Sequence, residues 1–173
     1  MSTPTAHADD RTPLGDLNEG GMHRLLGYRL AQATIGATRA FEREVGKPLA
    51  LRPVEFTILQ LVHENALASP TRLSRALDIT LPGVKMWLDR LEQRKLLRRK
   101  IRDADRRSHK LELTREGTRV VIDALDRLFA ADQALLQTLS VGEQHILLEL
   151  LDKVARARVA NAAAMRSEGE SRS

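Results

Sequence analysis

Cysteine is absent from the 173-residue chain. That excludes a disulfide framework, a zinc finger, a cysteine nucleophile and a thiol redox switch. Aromatic residues make up only 3%, with one Trp and one Tyr. Strands of a β-sandwich favour aromatic and β-branched residues, and a platform for single-stranded nucleic acid needs several rings on which to stack bases. Both are disfavoured. No apolar run approaches the roughly 18 residues of a membrane span, and no signal-peptide pattern opens the chain. Enzyme signatures are missing too: there is no G-x-S-x-G, no G-x-G-x-x-G after a strand, no P-loop and no H-E-x-x-H, and the carboxylates are scattered. The five histidines (His7, His23, His63, His109, His145) lack metal-ligand spacing. His145 and Glu149, four apart, read as a surface pair. The expectation is a cytoplasmic protein with no cofactor, no metal and no catalytic residues.

What is present is a globular balance of 42% apolar and 29% charged residues, enough to bury a core in one domain with extra helices. The net charge is +5, but it is not spread evenly. Between Thr71 and Lys110 thirteen basic residues face five acidic ones, a net +8, while the other 133 residues carry −3. Positive charge concentrated in this way suits a polyanion, and nucleic acid is the commonest.

Periodicity predicts a mainly α (α+β) chain. Residues 1–21 read as a flexible arm. Met22, Leu26, Leu30, Ala33, Ala37 and Phe41 recur at spacings of three and four, which predicts a helix over 22–45 with Gly46 and Pro48 ending it. Pro53 opens a second helix to Glu64, with Phe56, Ile58, Leu59, Leu61 and Val62 inward. Ser69-Pro70 starts a short helix to Leu77, with Leu73 and Ala76 inward. Thr80 is the N-cap of a helix from Leu81 to about Lys95. Two short helices joined by a tight turn form a helix-turn-helix. The period then shortens: residues 97–102 and 109–113 alternate as strands around a polar, charged loop, making a hairpin or wing. A long helix follows to about Leu139. Ser140 and Glu143 form a capping box for the last helix, and residues after about Met165 read as a polar tail.

On the helix from Leu81, Val84, Trp87, Leu88 and Leu91 share one side at about 100° per residue. Trp87 is expected in the core. Pro82, Lys85 and Met86 fall opposite, with Gly83 and Arg90 at the edge; Thr80, Pro82, Gly83, Lys85 and Met86 would meet a major groove, Pro82 and Gly83 by close backbone approach, with Arg90 on phosphate. Ser69, Thr71 and Arg72, at the start of the preceding helix, complete the DNA-facing set on this motif. Seven basic residues lie between Arg98 and Lys110. Of these, Arg98, Arg99, Lys100, Arg102 and Lys110 are phosphate candidates. Arg106 and Arg107 sit at the hairpin tip, where an arginine can enter a narrow minor groove. The acidic Asp103 and Asp105 make sense beside DNA if they orient an arginine.

Residues 69–117 resemble the winged helix-turn-helix core of the MarR-type transcriptional regulators. The most specific pieces are the D-x-R of Asp105-Arg106-Arg107 and the L-T-x-x-G of Leu113-Thr114-Arg115-Glu116-Gly117. The resemblance extends over 22–159. It implies a single domain over 22–165, with the winged core at 53–117 and dimerisation helices at 22–45 and 118–165, ahead of a tail at 166–173. It implies a homodimer on a pseudo-palindromic, double-stranded operator, Arg107 in the minor groove, and Asp105 steering it. It also implies a pocket for a small-molecule effector, an aromatic or phenolic carboxylate, to which Tyr28, Arg29 and His63 could contribute. The chain departs from the family by carrying Lys95 where glycine is usual, so the turn before the wing is expected to differ. A repressor released by ligand is the leading expectation. A constitutive architectural DNA-binding protein and a winged-helix protein-interaction module are the alternatives.

Overall fold

The computed structural model describes residues 11–102 and 105–170, without the side chains of 101, 102, 105–109 and 158–170. The chain divides after Asp132 into two compact units.

In the first unit, a 3-10 turn at Gly20–Arg24 precedes α1 (Leu26–Phe41). A π-turn at Glu42–Gly46 and a last turn, α2 (Lys47–Leu49), continue the helical path. Gly46 was expected to end the helix but stays right-handed, and Ala50 takes the left-handed conformation instead (φ 50°). The Glu42 carboxylate lies against Gly46, where a Cβ would stand. Its small size therefore serves packing within the helix. Then come α3 (Pro53–Glu64), α4 (Pro70–Leu77) and α5 (Leu81–Gln93). Strands β1 (Leu97–Arg102) and β2 (Asp105–Leu113) pair antiparallel, with Leu97 opposite Leu113 and Lys100 opposite Lys110. Strand β2 starts earlier than the alternation at 109–113 suggested. Helix α6 (Arg115–Leu135) leads across the division to the second unit, which holds α7 (Val141–Glu170). The last helix thus extends past the Met165 boundary expected for it.

The caps follow local chemistry. Ser69 Oγ accepts from Arg72 N at 3.3 Å, and Thr80 Oγ1 accepts from Gly83 N at 3.3 Å. The Ser140–Glu143 box forms: the Ser140 amide donates to Glu143 Oε2 at 2.8 Å. Ion pairing differs from expectation on α7, where Glu149 is taken by Lys153, and His145 Nδ1 lies 2.7 Å from Val141 O.

The core lies where α3, α4, α5, the strands and α6 converge. Ile58, Leu59, Val84, Leu88, Leu91 and Val121 have no exposure there. Tilted rings of Phe41 and Phe56, with centroids 6.2 Å apart, join the end of α1 to α3. Not every predicted inward residue is buried. Ala76 is exposed. The apolar row of the segment expected to form a dimerisation helix is open, with Met22 ahead of α1 and Leu26, Leu30 and Ile35 on it all exposed. The described side chains of α7 are likewise open, including Ile146, Leu147, Leu150, Leu151 and Val154. Apolar rows of this kind are what interaction surfaces present.

Of the segment expected to be an arm, residues 11–21 are described. Arg11 and Asn18 form an isolated β-bridge, and Glu19 is 2% exposed. Among the described residues, no helix is long and apolar enough to cross a membrane.

Candidate nucleic-acid interface

Helix α5 divides into two sides. Val84, Leu88 and Leu91 are fully buried, which anchors the helix and fixes its rotation. Thr80, Pro82, Lys85 and Met86 are exposed on its first turns, as are Thr71 and Arg72 on α4. Arg72, Arg75 and Lys85 make no ion pair among the described residues, so three cations on this motif face outward uncompensated. Arg75 was not singled out from sequence. Gly83 has a packing reason of its own: a Cβ there would stand 2.9 Å from Ile79 Cγ2 and 3.2 Å from Thr80 Oγ1. The glycine lets the helix-turn-helix turn close. Asp78 takes the left-handed conformation in that turn (φ 55°), which an aspartate tolerates better than most residues.

Trp87 packs on the core but is not enclosed. Arg52 and Arg90 lie over its ring, at 5.5 and 5.3 Å from the centroid, within cation–π range. Arg90 also stands 3.5 Å from the buried Glu55, whose other oxygen accepts from Arg52 N at 2.8 Å. Arg94 donates to Leu49 O and Ala50 O at 3.0 and 2.8 Å and pairs with Glu55 at 3.8 Å. The rear of α5 is thus clasped to the α1–α3 junction. Glu55 was missed in the sequence. A glutamate three residues after the N-cap of a Pro-initiated helix is the local signal that could have found it.

The wing stem separates its charges by face. Arg99, on the side toward α5, pairs with Asp89 and, at 3.4 Å, with Glu92. It joins β1 to α5. On the other face, Glu112 takes Lys100 at 2.9 Å, Arg98 at 3.1 Å and Lys110 at 3.2 Å. Bonds from Lys100 and Lys110 hold its carboxyl down to about 2. This relieves the like-charge pairing of Lys100 with Lys110 across the ladder. The side chains of Asp105, Arg106 and Arg107, and those of Arg102 and Asp103, lie outside the described residues.

Lys95 takes φ 58°, the left-handed conformation that glycine adopts freely. The Leu96 amide donates to Leu91 O and the Lys95 amide to Glu92 O, the Schellman closure of a helix end. The glycine-type turn forms with lysine in place. Gly117 is required by its surroundings, because a Cβ would overlap the Leu96 carbonyl.

Tyr28 and Arg29 share one partner. The Tyr28 hydroxyl donates to Glu19 Oε1 at 3.1 Å, and Arg29 Nη1 lies 3.3 Å from Glu19 Oε2. Burial, and then the Glu19 carboxylate, push the Tyr28 phenol above its ordinary value. His63 lines a cleft of about 280 Å³ with Asn65, Lys110, Glu112 and Thr118. No described hydrogen bond or ion pair joins it to Tyr28 or Arg29. Among the described residues, no group of three His, Asp or Glu could hold a metal ion.

Comparison with known proteins places this geometry among regulators. A family model described as the MarR family matches residues 51–109. The chain is 27% identical over 143 residues to a protein assigned to the hcr operon of Thauera aromatica as a transcriptional regulatory protein, covering 83% of this chain and 86% of that one. It is 30% identical over 135 residues to the HTH-type transcriptional regulator PecS of Dickeya dadantii (strain 3937), covering 76% and 81%. Among solved structures it is similar to the transcriptional repressor CouR bound to a 23-mer DNA duplex. That match has a TM-score of 0.74 at 31% identity, covering 80% of this chain and 98% of that one.

Proposed function

The chain belongs to the MarR family of DNA-binding transcriptional regulators, and from that premise we propose that it is a homodimeric cytoplasmic repressor released from its operator by a small aromatic or phenolic carboxylate. The observation that carries the reading is α5, with one side locked in the core and Thr80, Pro82, Lys85 and Met86 exposed on the other. In this reading those residues, with Ser69, Thr71 and Arg72, meet a major groove. Arg107, steered by Asp105 and beside Arg106, enters the minor groove. Phosphate contacts supply affinity and make it strongly salt-dependent. Arg90 and Arg99 act by holding α5 and the wing in register, since both are already paired within the chain. The open apolar rows of α1 and α7 support the homodimer, which suits a pseudo-palindromic site.

Tyr28 and Arg29 support the carboxylate class, because both direct donor groups at a carboxylate. The effector must bind the DNA-incompetent state more tightly, or the equilibrium does not move. The test is fluorescence anisotropy with the DNA upstream of the protein's own gene and a scrambled duplex, at two salt concentrations, with and without a panel of aromatic acids. Selective binding reversed by an acid is expected. Equal, weak binding to both duplexes would overturn the reading in favour of a protein-interaction module.

A further inference from the structure

Among the described residues, the segment ahead of α1 is tied to that helix through the Glu19 carboxylate and the His23 carbonyl. Its apolar residues do not anchor it: Leu14 and Leu17 are 79% and 68% exposed. Glu19 is the exception, with a fully buried side chain. Its two oxygens face different donors of α1, Tyr28 at 3.1 Å and Arg29 at 3.3 Å. Gln32 Nε2 donates to the Tyr28 oxygen at 3.1 Å and so directs the phenol proton toward Glu19. Arg29 Nε donates to His23 O at 2.8 Å, which fixes the guanidinium plane.

This is how a protein recognises a free carboxylate: a guanidinium and a hydroxyl, pre-oriented, one on each oxygen. The fit to Glu19 is incomplete. Its Oε2 is buried and accepts no hydrogen bond, so the arginine supplies charge without a bond. A buried carboxylate served in this way is held less firmly than one with both oxygens bonded. The tether is short and permissive. Gly20, immediately after Glu19, has φ 55°, and Gly21 follows it; a Cβ at either would meet nothing within 4 Å. The 3-10 turn that follows Glu19 holds no buried residue, so a backbone change at Gly20 or Gly21 breaks no packed core.

We infer that Glu19 is a built-in competitor for the effector's carboxylate: an organic acid binds Tyr28 and Arg29 by displacing Glu19 and the segment that carries it. The inference rests on the reading that an organic acid is the effector, and goes beyond it by naming the group the acid must replace. While Glu19 occupies the donors, only the open fraction of the protein binds acid, and the apparent affinity falls by that fraction. The effector threshold is thus set by a residue outside the DNA-binding lobe. An acid offering both oxygens to hydrogen bonds exchanges an imperfect contact for a better one.

The test uses the full-length protein titrated calorimetrically with sodium benzoate, with benzamide as the uncharged control. Glu19→Gln keeps the shape of the side chain and removes the charge facing Arg29. Glu19→Ala removes the competitor altogether. Thermal melts check that each variant is folded. Tyr28 is the only tyrosine in the chain, so its ultraviolet ionisation curve reports the contact directly and should move to lower pH in both Glu19 variants. The expected result is benzoate binding about tenfold tighter in both, a ratio that means only a tenth of the wild-type protein is open. Arg29→Ala should lose benzoate binding, and benzamide should bind none of the proteins. Equal benzoate affinity in wild type and Glu19 variants overturns the inference, as does failure of benzoate to bind any of them. The effector reading is scored separately on DNA. Release of operator by aromatic acids that is unaltered in Glu19→Gln and Arg29→Ala keeps that reading and discards this site. Tighter benzoate binding with no release of operator keeps the competitor and discards the effector reading.

Discussion

Replacing Lys95 by glycine should stabilise the protein, and the size of the gain follows from the backbone. Lys95 closes α5 at φ 58°, held by the Leu96–Leu91 and Lys95–Glu92 backbone bonds at 3.0 and 2.9 Å. A residue with a Cβ in the left-handed region is less stable by about 1–2 kcal/mol than in the right-handed one. Glycine avoids that clash but loses more chain freedom on folding, worth roughly 0.5–1 kcal/mol. The difference leaves about 0.5–1 kcal/mol in favour of Lys95→Gly, or a rise in Tm of about 1–4 °C for a chain of this length. Lysine 95 also belongs to the segment of net charge +8, so removing its charge could stabilise by itself. Lys95→Ala separates the two effects, because it removes the charge and keeps the Cβ. Thermal and urea unfolding of the three proteins at one fixed concentration is the assay. Lys95→Gly should gain, and Lys95→Ala should stay within about 0.5 kcal/mol of wild type. An equal gain in both would assign the effect to charge. A loss in Lys95→Gly would refute the strain argument.

Glu112→Gln should release Arg98, Lys100 and Lys110 for phosphate, raising operator affinity at low salt and steepening its fall with salt; anisotropy at several salt concentrations reads both. The same carboxyl is held down to about 2 in the fold against an ordinary 4.5. Its stabilisation is therefore full above 4.5 and is lost as pH falls through about 2, and an acid-unfolding series should show Glu112→Gln lacking that component. Gly117→Ala must push the Leu96 carbonyl aside and should lose about 2–4 kcal/mol in urea unfolding. Arg99→Ala unties β1 from Asp89 and Glu92. It should weaken operator binding while leaving non-specific binding to scrambled DNA nearly unchanged, whereas a direct phosphate contact would weaken both.

The elements legible in the sequence are those whose cause lies within a few residues. Pro53, Pro70 and Thr80 mark their helix starts, and the Ser140–Glu143 box marks another. The period of Val84, Leu88 and Leu91 set the rotation of α5 correctly, because burial on one side of a helix is periodic. Contacts between distant residues left no such trace. Arg94 reaches Leu49 and Ala50 across more than forty positions, and nothing near either end announces it. Glu19 sits among turn formers and polar residues, where burial of an acid has no periodic signature. The row on α1 has the spacing of a covered face. Within one chain it is open, since periodicity reports that a face is covered but not by which molecule.

The Thr114 hydroxyl donates to Lys95 O at 2.7 Å and accepts from Gly117 N at 2.9 Å, while its amide donates to Leu96 O at 3.0 Å. The end of α5, the root of the wing and the first turn of α6 therefore meet in a joint without slack. Such a joint turns the hairpin into a lever whose arm is the length of β1. Six residues of strand reach about 20 Å, so a tilt of about 5° at the pivot carries the tip by roughly 2 Å. If a wing arginine enters a minor groove about 6 Å wide as proposed, that travel is enough to take it out of register. A small rotation of α6 would be amplified at the DNA by the geometry of the stem, with no change in the fold of either part.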